Sequence, residues 1–360
     1  MFDVSHRRSH AMKTEVASTR TPVLFRAAVR RAAELLRAGE VVALPTETVY
    51  GLAANALDEK AVARIYEAKG RPAHNPIIVH VADVKMARRS VTNWPPLAGR
   101  LAEAFWPGPL TLVLPRAKEI PDLVTAGGPT VGVRWPSHPF IQAVIRECGF
   151  PLAAPSANLS NRVSPTRAEH VRQQLGGKIR LLVDGGPSPV GIESTVLDLT
   201  RDPPSVLRPG MIHEEALKAV AGNLQSATCN LQPATLRSPG LMKKHYAPRA
   251  RLVVLSWSGD YELRSLVESR ITHHASRTHI IAHTRIPSAK GLGGVSVLPH
   301  DAAAFGRALY AELHRCDEAG AEIIVVEAPP DAPEWRAIAD RLKRASAKES
   351  ETFPGRPGPI

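Results

Sequence analysis

Apolar residues at Leu24, Ala28, Ala32, Leu35 and Leu36 recur at near-helical spacing, which predicts a helix over Val23 to Ala38. Thr21-Pro22 suits its start and Gly39 its stop. A continuous apolar run, Val41 to Leu44, then reads as a short buried strand. Asp58 is placed to cap a helix that runs to Lys69 and stops at Gly70. Ile77 to Val81, Leu110 to Leu114, Val131 to Trp135, Arg180 to Val183, Thr195 to Leu199 and Ser205 to Arg208 read as strands. Pro96 to Phe105 and Phe140 to Cys148 read as helices. Thr166 and Glu169 fit a capping box for a helix ending at Leu175. Helices and strands alternate without strict regularity, so the expected fold class is α/β with a sheet of mixed strand directions.

The pattern breaks from about Glu214 to Ala250, a Ser-, Pro- and Thr-rich stretch that reads as a linker. A second α/β pattern follows. Its strands are expected at Leu252 to Leu255, Ile280 to His283, Val295 to Leu298 and Ile323 to Val326, with helices at Ala302 to Arg315 and Pro333 to Ala345. In the last helix Trp335, Ile338, Ala339 and Leu342 share one face. The expected division is a polar extension over 1–22, a first domain over 23–215, a linker over 216–250, a small Rossmann-like domain over 251–346 and a tail over 347–360.

Composition narrows this picture only a little. At 360 residues two domains are in order. No run of 18 apolar residues exists, so no membrane span is expected. Three scattered cysteines, Cys148, Cys229 and Cys316, form no CxxC pair, and the N-terminus lacks a secretory apolar region; together they point to the cytoplasm. The net charge of +12 favours an anionic partner such as nucleotide or RNA.

Candidate chemistry gathers in three stretches of the first domain: Ala43 to Leu52 (ALPTETVYGL), Lys69 to Pro76 (KGRPAHNP) and Ala154 to Thr166 (APSANLSNRVSPT). Each joins small polar residues and prolines near a predicted strand end, where ligands bind in open α/β sheets. Lys69, Arg71, Arg134 and Arg208 add positive charge, and arginine offers a planar fork for phosphate or carboxylate. Glu47 and Glu193 are the nearest acids. There is no GxxxxGK[ST] and no GxSxG, so neither a P-loop nor a serine-hydrolase elbow is present. His279 and His283 have the histidine spacing of HExxH, but Ile280 stands in place of the Glu and the pair falls on a predicted strand, so they read as surface and strand residues.

Taken in order, LPTETVYGLAANA, KGRPAHNPIIVHV, FWPGPLTLVL, GVRWPSHP, APSANLSNRVSPT, GIESTVLDL and VLRPGMI resemble the successive signatures of YrdC-type L-threonylcarbamoyladenylate synthases. SPGLMKKHYAPRARL resembles the linker of the long, Sua-type members. The resemblance implies a twisted mixed sheet around a large basic cavity, followed by a Rossmann-like domain. It also implies a reaction of L-threonine, bicarbonate and ATP that yields L-threonylcarbamoyl-AMP and diphosphate. Proteins acting downstream then transfer the threonylcarbamoyl group to tRNA. By motif position, Thr48, His80, Arg134, Ala154 and Ser194 are expected around L-threonine, with Arg134 on its carboxylate. Arg71, Asn75, Thr130, Ser156, Ser164, Arg208 and Tyr246 are expected around ATP. Lys69 and Arg71 are expected to be catalytic. Mg2+ is expected to arrive with ATP, and no protein metal site is expected. The competing reading is a double-stranded RNA or tRNA binder, in which tRNA would contact the chain.

Overall fold

The computed structural model describes residues 13–225, 245–270 and 275–347. The first domain is built on ten strands. In chain order they are β1 (Glu15–Ser18), β2 (Val42–Leu44), β3 (Gly51–Asn55), β4 (Val79–His80), β5 (Leu110–Pro115), β6 (Thr130–Arg134), β7 (Leu152–Ala153), β8 (Leu181–Asp184), β9 (Thr195–Asp198) and β10 (Ser205–Arg208). They lie side by side as β1-β8-β2-β3-β7-β4-β6-β5-β9-β10. The pairs β1–β8, β2–β8, β4–β6 and β5–β9 are parallel, and the others antiparallel, so the sheet is mixed as expected.

Local signals explain most helix ends. Thr21 Oγ1 accepts from Leu24 N, opening the helix Pro22–Arg37. Asp58 accepts from the Lys60 and Ala61 amides, and Gly70 closes the helix Glu59–Lys69 in the left-handed region at φ 57°. The helix Pro22–Arg37 buries Ala28, Ala32, Leu35 and Leu36, four of its five expected positions; Leu24 stays exposed.

Three expectations need correction. The polar extension stops short, because Glu15–Ser18 form the edge strand β1 on β8. The expected linker begins too early: the helix Glu214–Ala221 puts Leu217 into the first core, and Leu224 joins it. The capping box is not formed. The helix is Ala168–Leu175, Arg167 sits at its N-cap, and the Thr166 amide bonds His170 Nδ1 at 3.3 Å.

The second domain is an all-parallel sheet of β11 (Arg251–Leu255), β12 (Thr278–Ala282), β13 (Gly294–Val297) and β14 (Ile323–Glu327), ordered β11-β14-β12-β13. Its long helices are Asp260–Arg270, Ala302–Glu318 and Arg336–Ser346. His279 and His283 prove buried rather than surface residues; the His283, His300 and Trp335 rings pack together in one cluster. One apolar cluster joins the domains, combining Val49, Val163 and Ile192 with Phe305, Leu309 and Ile338.

The candidate active site

A cavity opens where these elements converge. Its walls carry Thr46, Thr48, Arg71, His80, Arg134 and Ser156, together with Glu193, Ser194, Arg208, His245 and Tyr246. Each wall has a local reason. After β2, Pro45 ends the strand, and Thr46 Oγ1 bonds the Val49 carbonyl at 2.6 Å and the Thr48 amide at 3.2 Å, turning the chain into the site. In KGRPAHNP, the Pro72 carbonyl accepts from the Asn75 amide at 3.1 Å, which folds the loop back on Arg71. Arg71 Nε then donates to the Asn75 carbonyl at 3.1 Å and Nη2 to the Pro76 carbonyl at 2.7 Å. The guanidinium is thereby locked with little freedom left to lose on binding an anion. His74, at the tip of this turn, is exposed.

His80 and Arg134 are direct neighbours across β4 and β6. Arg134 is held on three sides: Nη1 donates to Thr48 Oγ1 at 3.0 Å, Nε donates to the Gly108 carbonyl at 3.2 Å, and Nη2 lies 2.6 Å from Glu47 Oε1 in an ion pair that leaves Nη2 without a hydrogen bond. Burial alone would raise the Glu47 carboxyl, but Arg134 and the Ser137 amide together hold it below the usual range. Burial, reinforced by Arg134, pushes the His80 imidazole down to about 3, so it is neutral at physiological pH. Its Nδ1 is buried without a hydrogen-bond partner. Such an atom costs ~1–3 kcal/mol while it stays unpaired, which marks it as a place for a ligand group.

On the opposite side, Arg208 Nη2 donates to Ser194 Oγ at 3.1 Å and Nε to the Ser194 carbonyl at 3.1 Å. Ser194 Oγ also lies 2.8 Å from Thr111 Oγ1. Burial draws Arg71 down to about 10 and lowers Arg208 as well. The roof is Tyr246, held at φ 62° although it is not glycine. This conformation costs ~1–2 kcal/mol for a side-chain-bearing residue. It is sustained by the Ala247 amide bonded to the Asn161 carbonyl at 2.9 Å and by packing of the ring. Beside it, burial and then Arg71, Lys69, Arg208 and Arg341 keep His245 well below the ordinary histidine value.

Residues 34–210 match a family profile named for Sua5, YciO and YrdC and described as telomere recombination. Residues 212–347 match one described as the C-terminal domain of threonylcarbamoyl-AMP synthase. The threonylcarbamoyl-AMP synthase of Pyrococcus abyssi is 39% identical over 322 residues, covering 88% of this chain and 94% of that protein. This chain belongs to the threonylcarbamoyl-AMP synthase family. The Bacillus subtilis member is 43% identical over 329 residues, 88% of this chain and 92% of the relative. The structure of P. abyssi Sua5 complexed with L-threonine superposes with a TM-score of 0.85 at 38% identity, over 92% of this chain and 98% of that one. A His-and-Tyr-to-Ala double variant of the same protein gives 0.84 at 37% identity, over 92% and 96%.

For this synthase-family chain, the cavity gathers Thr48, Arg71, His80, Arg134, Ala154, Ser156, Ser194, Arg208 and Tyr246 from the residues expected by motif. Four others stand apart. Lys69 Nζ donates to the Ser156 and Asn158 carbonyls, both at 2.5 Å, so it ties the helix end to the APSAN loop from behind the wall. Burial, then Arg71, push its ammonium well below the ordinary lysine value. Asn75 acts through its carbonyl, which also accepts from Tyr66 Oη at 3.0 Å. Ser164 sits one step back, donating to Glu193 Oε1 at 2.6 Å. Thr130 lines a separate, much smaller cavity with Thr111 and Thr125. Arg134 is already held by Thr48, Gly108 and Glu47, yet its Nη2 is buried without a hydrogen-bond partner. Lys243 and Lys244 of the linker lie outside the described residues. Sequence reasoning missed Tyr310 and Arg341, which reach Glu193 from the second domain; nothing local in their sequence signals it.

Proposed function

We propose that the chain is a nucleotidyltransferase that makes L-threonylcarbamoyl-AMP. The threonine amine adds to CO2, supplied from bicarbonate, to give a carbamate. A carbamate oxygen then attacks the α-phosphorus of ATP, the bond to the β-phosphate oxygen breaks, and diphosphate leaves. Nucleophile and electrophile are both anionic, and they repel in water. The observation that carries the reading is a chamber with three buried arginines, Arg71, Arg134 and Arg208, against two carboxylates that are already paired. Fixed positive charge in a water-poor site offsets the repulsion and needs no reorganisation.

On this reading L-threonine occupies the side formed by Thr48, His80, Arg134, Ala154 and Ser194. His80 Nδ1, buried and unpartnered, is a natural acceptor or donor for its hydroxyl or amine. ATP lies toward Arg71, Ser156, Arg208 and Tyr246. Mg2+ would arrive with ATP and would offset the negative charge of its phosphates. The wall residues do not fit a cation site of their own, because Glu47 and Glu193 are engaged by arginines. Among the described residues no three His, Cys, Asp or Glu side chains gather as ligands. We assign no step to the metal.

The product would be consumed by proteins that transfer the threonylcarbamoyl group to tRNA, with the cytoplasm as the proposed compartment. No helix among the described residues is long and apolar enough to cross a membrane. A duplex-RNA binder is less favoured, because the arginines are buried around a cavity rather than spread over a face. The deciding experiment mixes the protein with ATP, bicarbonate and isotopically labelled threonine and reads the products by mass spectrometry. A labelled threonylcarbamoyl-AMP is expected; its absence would overturn the proposal.

A further inference from the structure

The GIES segment faces two ways. Gly191 and Ile192 pack on the helix Ala302–Glu318 of the second domain, whereas Glu193 and Ser194 line the cavity. Glu193 is therefore held from both sides. Its Oε1 accepts from Ser164 Oγ at 2.6 Å. Its Oε2 accepts from Arg341 Nε at 2.9 Å and from Tyr310 Oη at 3.0 Å. Arg341 and Tyr310 belong to the second domain and do not line the cavity, and their side chains are buried. The same two residues also seat the roof. The Arg341 guanidinium lies 5.3 Å from the Tyr246 ring centroid, and the Tyr310 ring stacks on it at 6.0 Å.

A carboxylate in the wall of a phosphate site is a liability unless its charge is compensated and its lone pairs are occupied. Burial would raise Glu193, but Arg341 and Arg208 outweigh it and keep the carboxyl below its usual range. We propose that Arg341 and Tyr310 are positioning residues for the nucleotide: they neutralise and orient Glu193 and seat Tyr246, so that the second domain completes the ATP side of the cavity. The inference rests on the ATP reading given above. It predicts a split between the substrates, because the threonine side, around His80 and Arg134, makes no hydrogen bond to either residue.

The test is diphosphate release with ATP and L-threonine varied separately, alongside thermal melts. Arg341→Met leaves Glu193 with Arg208 as its nearest remaining cation. It should raise KM for ATP about tenfold or more, while KM for threonine stays within about twofold. Arg341→Lys, which keeps a charge but loses the planar fork, should fall between. The double variant Glu193→Gln/Arg341→Met removes the stranded charge and should regain most of the ATP affinity. Tyr310→Phe removes one hydroxyl and serves if Arg341→Met does not fold; a rise in ATP KM of about threefold is expected, with threonine unaffected. Equal effects on both substrates, an unchanged ATP KM, or a double variant no better than the single would overturn the inference. Those results with a wild-type protein that still forms the adenylate overturn this inference alone. A wild-type protein that forms none overturns the functional reading with it.

Discussion

Gly191→Ala is the sharpest test of how the two domains meet. A Cβ at this position would lie 2.4 Å from Arg307 Cα and 2.7 Å from both the Gly306 and Arg307 carbonyl oxygens. All three atoms are backbone, so no side chain can swing away. Restoring ordinary contact means parting the domains locally by ~1 Å, since overpacked atoms in a dense interior move by such shifts. The φ of +85° adds backbone strain of ~1 kcal/mol, and overpacking adds ~1–3 kcal/mol, for a total of about 2–4 kcal/mol. For a domain of this size that corresponds to a fall in Tm of about 5–12 °C. Glu193 lies two residues on, and its 2.9 and 3.0 Å bonds to Arg341 and Tyr310 do not survive a 1 Å displacement. A misplacement of that size at a reacting site can cost ~100-fold, so kcat/KM for ATP should drop by about two orders of magnitude. Gly186→Ala is the control. Gly186 has a similar φ of +81°, but nothing lies within 4 Å of an added Cβ, so only the strain of ~1 kcal/mol is expected. The assays are melts and ATP-dependent diphosphate release on both variants. If Gly191→Ala melts and turns over like Gly186→Ala, the close approach does not organise the site.

Other outcomes follow from individual side chains. L-Valine, which lacks the threonine hydroxyl, should support diphosphate release at least ~30–150-fold less well, because a buried partner is left unpaired; serine should lose less, by about 1 kcal/mol for its missing methyl. Comparable rates with valine would refute the polar pocket. Lys69→Met should lower stability by ~2–4 kcal/mol in denaturant melts, because the Ser156 and Asn158 carbonyls lose their donor; an unchanged melt with lost activity would make Lys69 chemical rather than structural. His170, pressed on His314 at 3.9 Å between centroids, is pushed down to about 3 by burial and then by His314. Its folded value is depressed, so its contribution is complete above the unfolded value of about 6.5 and is lost as pH falls from there toward 3. Tm should therefore fall between pH 7 and pH 5, and His170→Phe should flatten that fall; equal slopes would refute the assignment.

The elements that could be read in advance are those specified by neighbouring residues. Asp58 and Gly70 bracket the helix Glu59–Lys69 because capping needs only a side-chain acceptor and a residue at ease with positive φ. The two-residue strands β4 and β7 are defined by their partners; Leu152–Ala153 has no period to detect. Thr166 and Glu169 have the right spacing for a capping box, but His170 Nδ1 takes the Thr166 amide instead. The cavity was legible as a set of polar motifs near strand ends, and family motifs gave the side-chain identities. The pairing inside it was not. Arg134 finds Glu47 across 87 positions, and Arg341 sits one residue from Leu342 on a face that reads as apolar, yet is itself buried against Glu193. Charge pairing at such separations follows from tertiary approach, which periodicity does not encode.

The edge strand β1 also sets a clock for synthesis. Its side partner is β8, and Thr14 Oγ1 donates to the Ile179 carbonyl, 165 residues further along the chain. A ribosome adding ~5–20 residues per second needs roughly 8–33 s to make that stretch. Throughout that interval the first strand has no mate, and β2 lacks the neighbour that separates it from β1 in the finished sheet. An unpaired edge is a template for pairing with other chains. Glu15 and Ser18 within the strand, with Lys13 before it and Arg20 after it, keep the waiting segment hydrated around Val16 and Ala17 until residues 181–184 emerge.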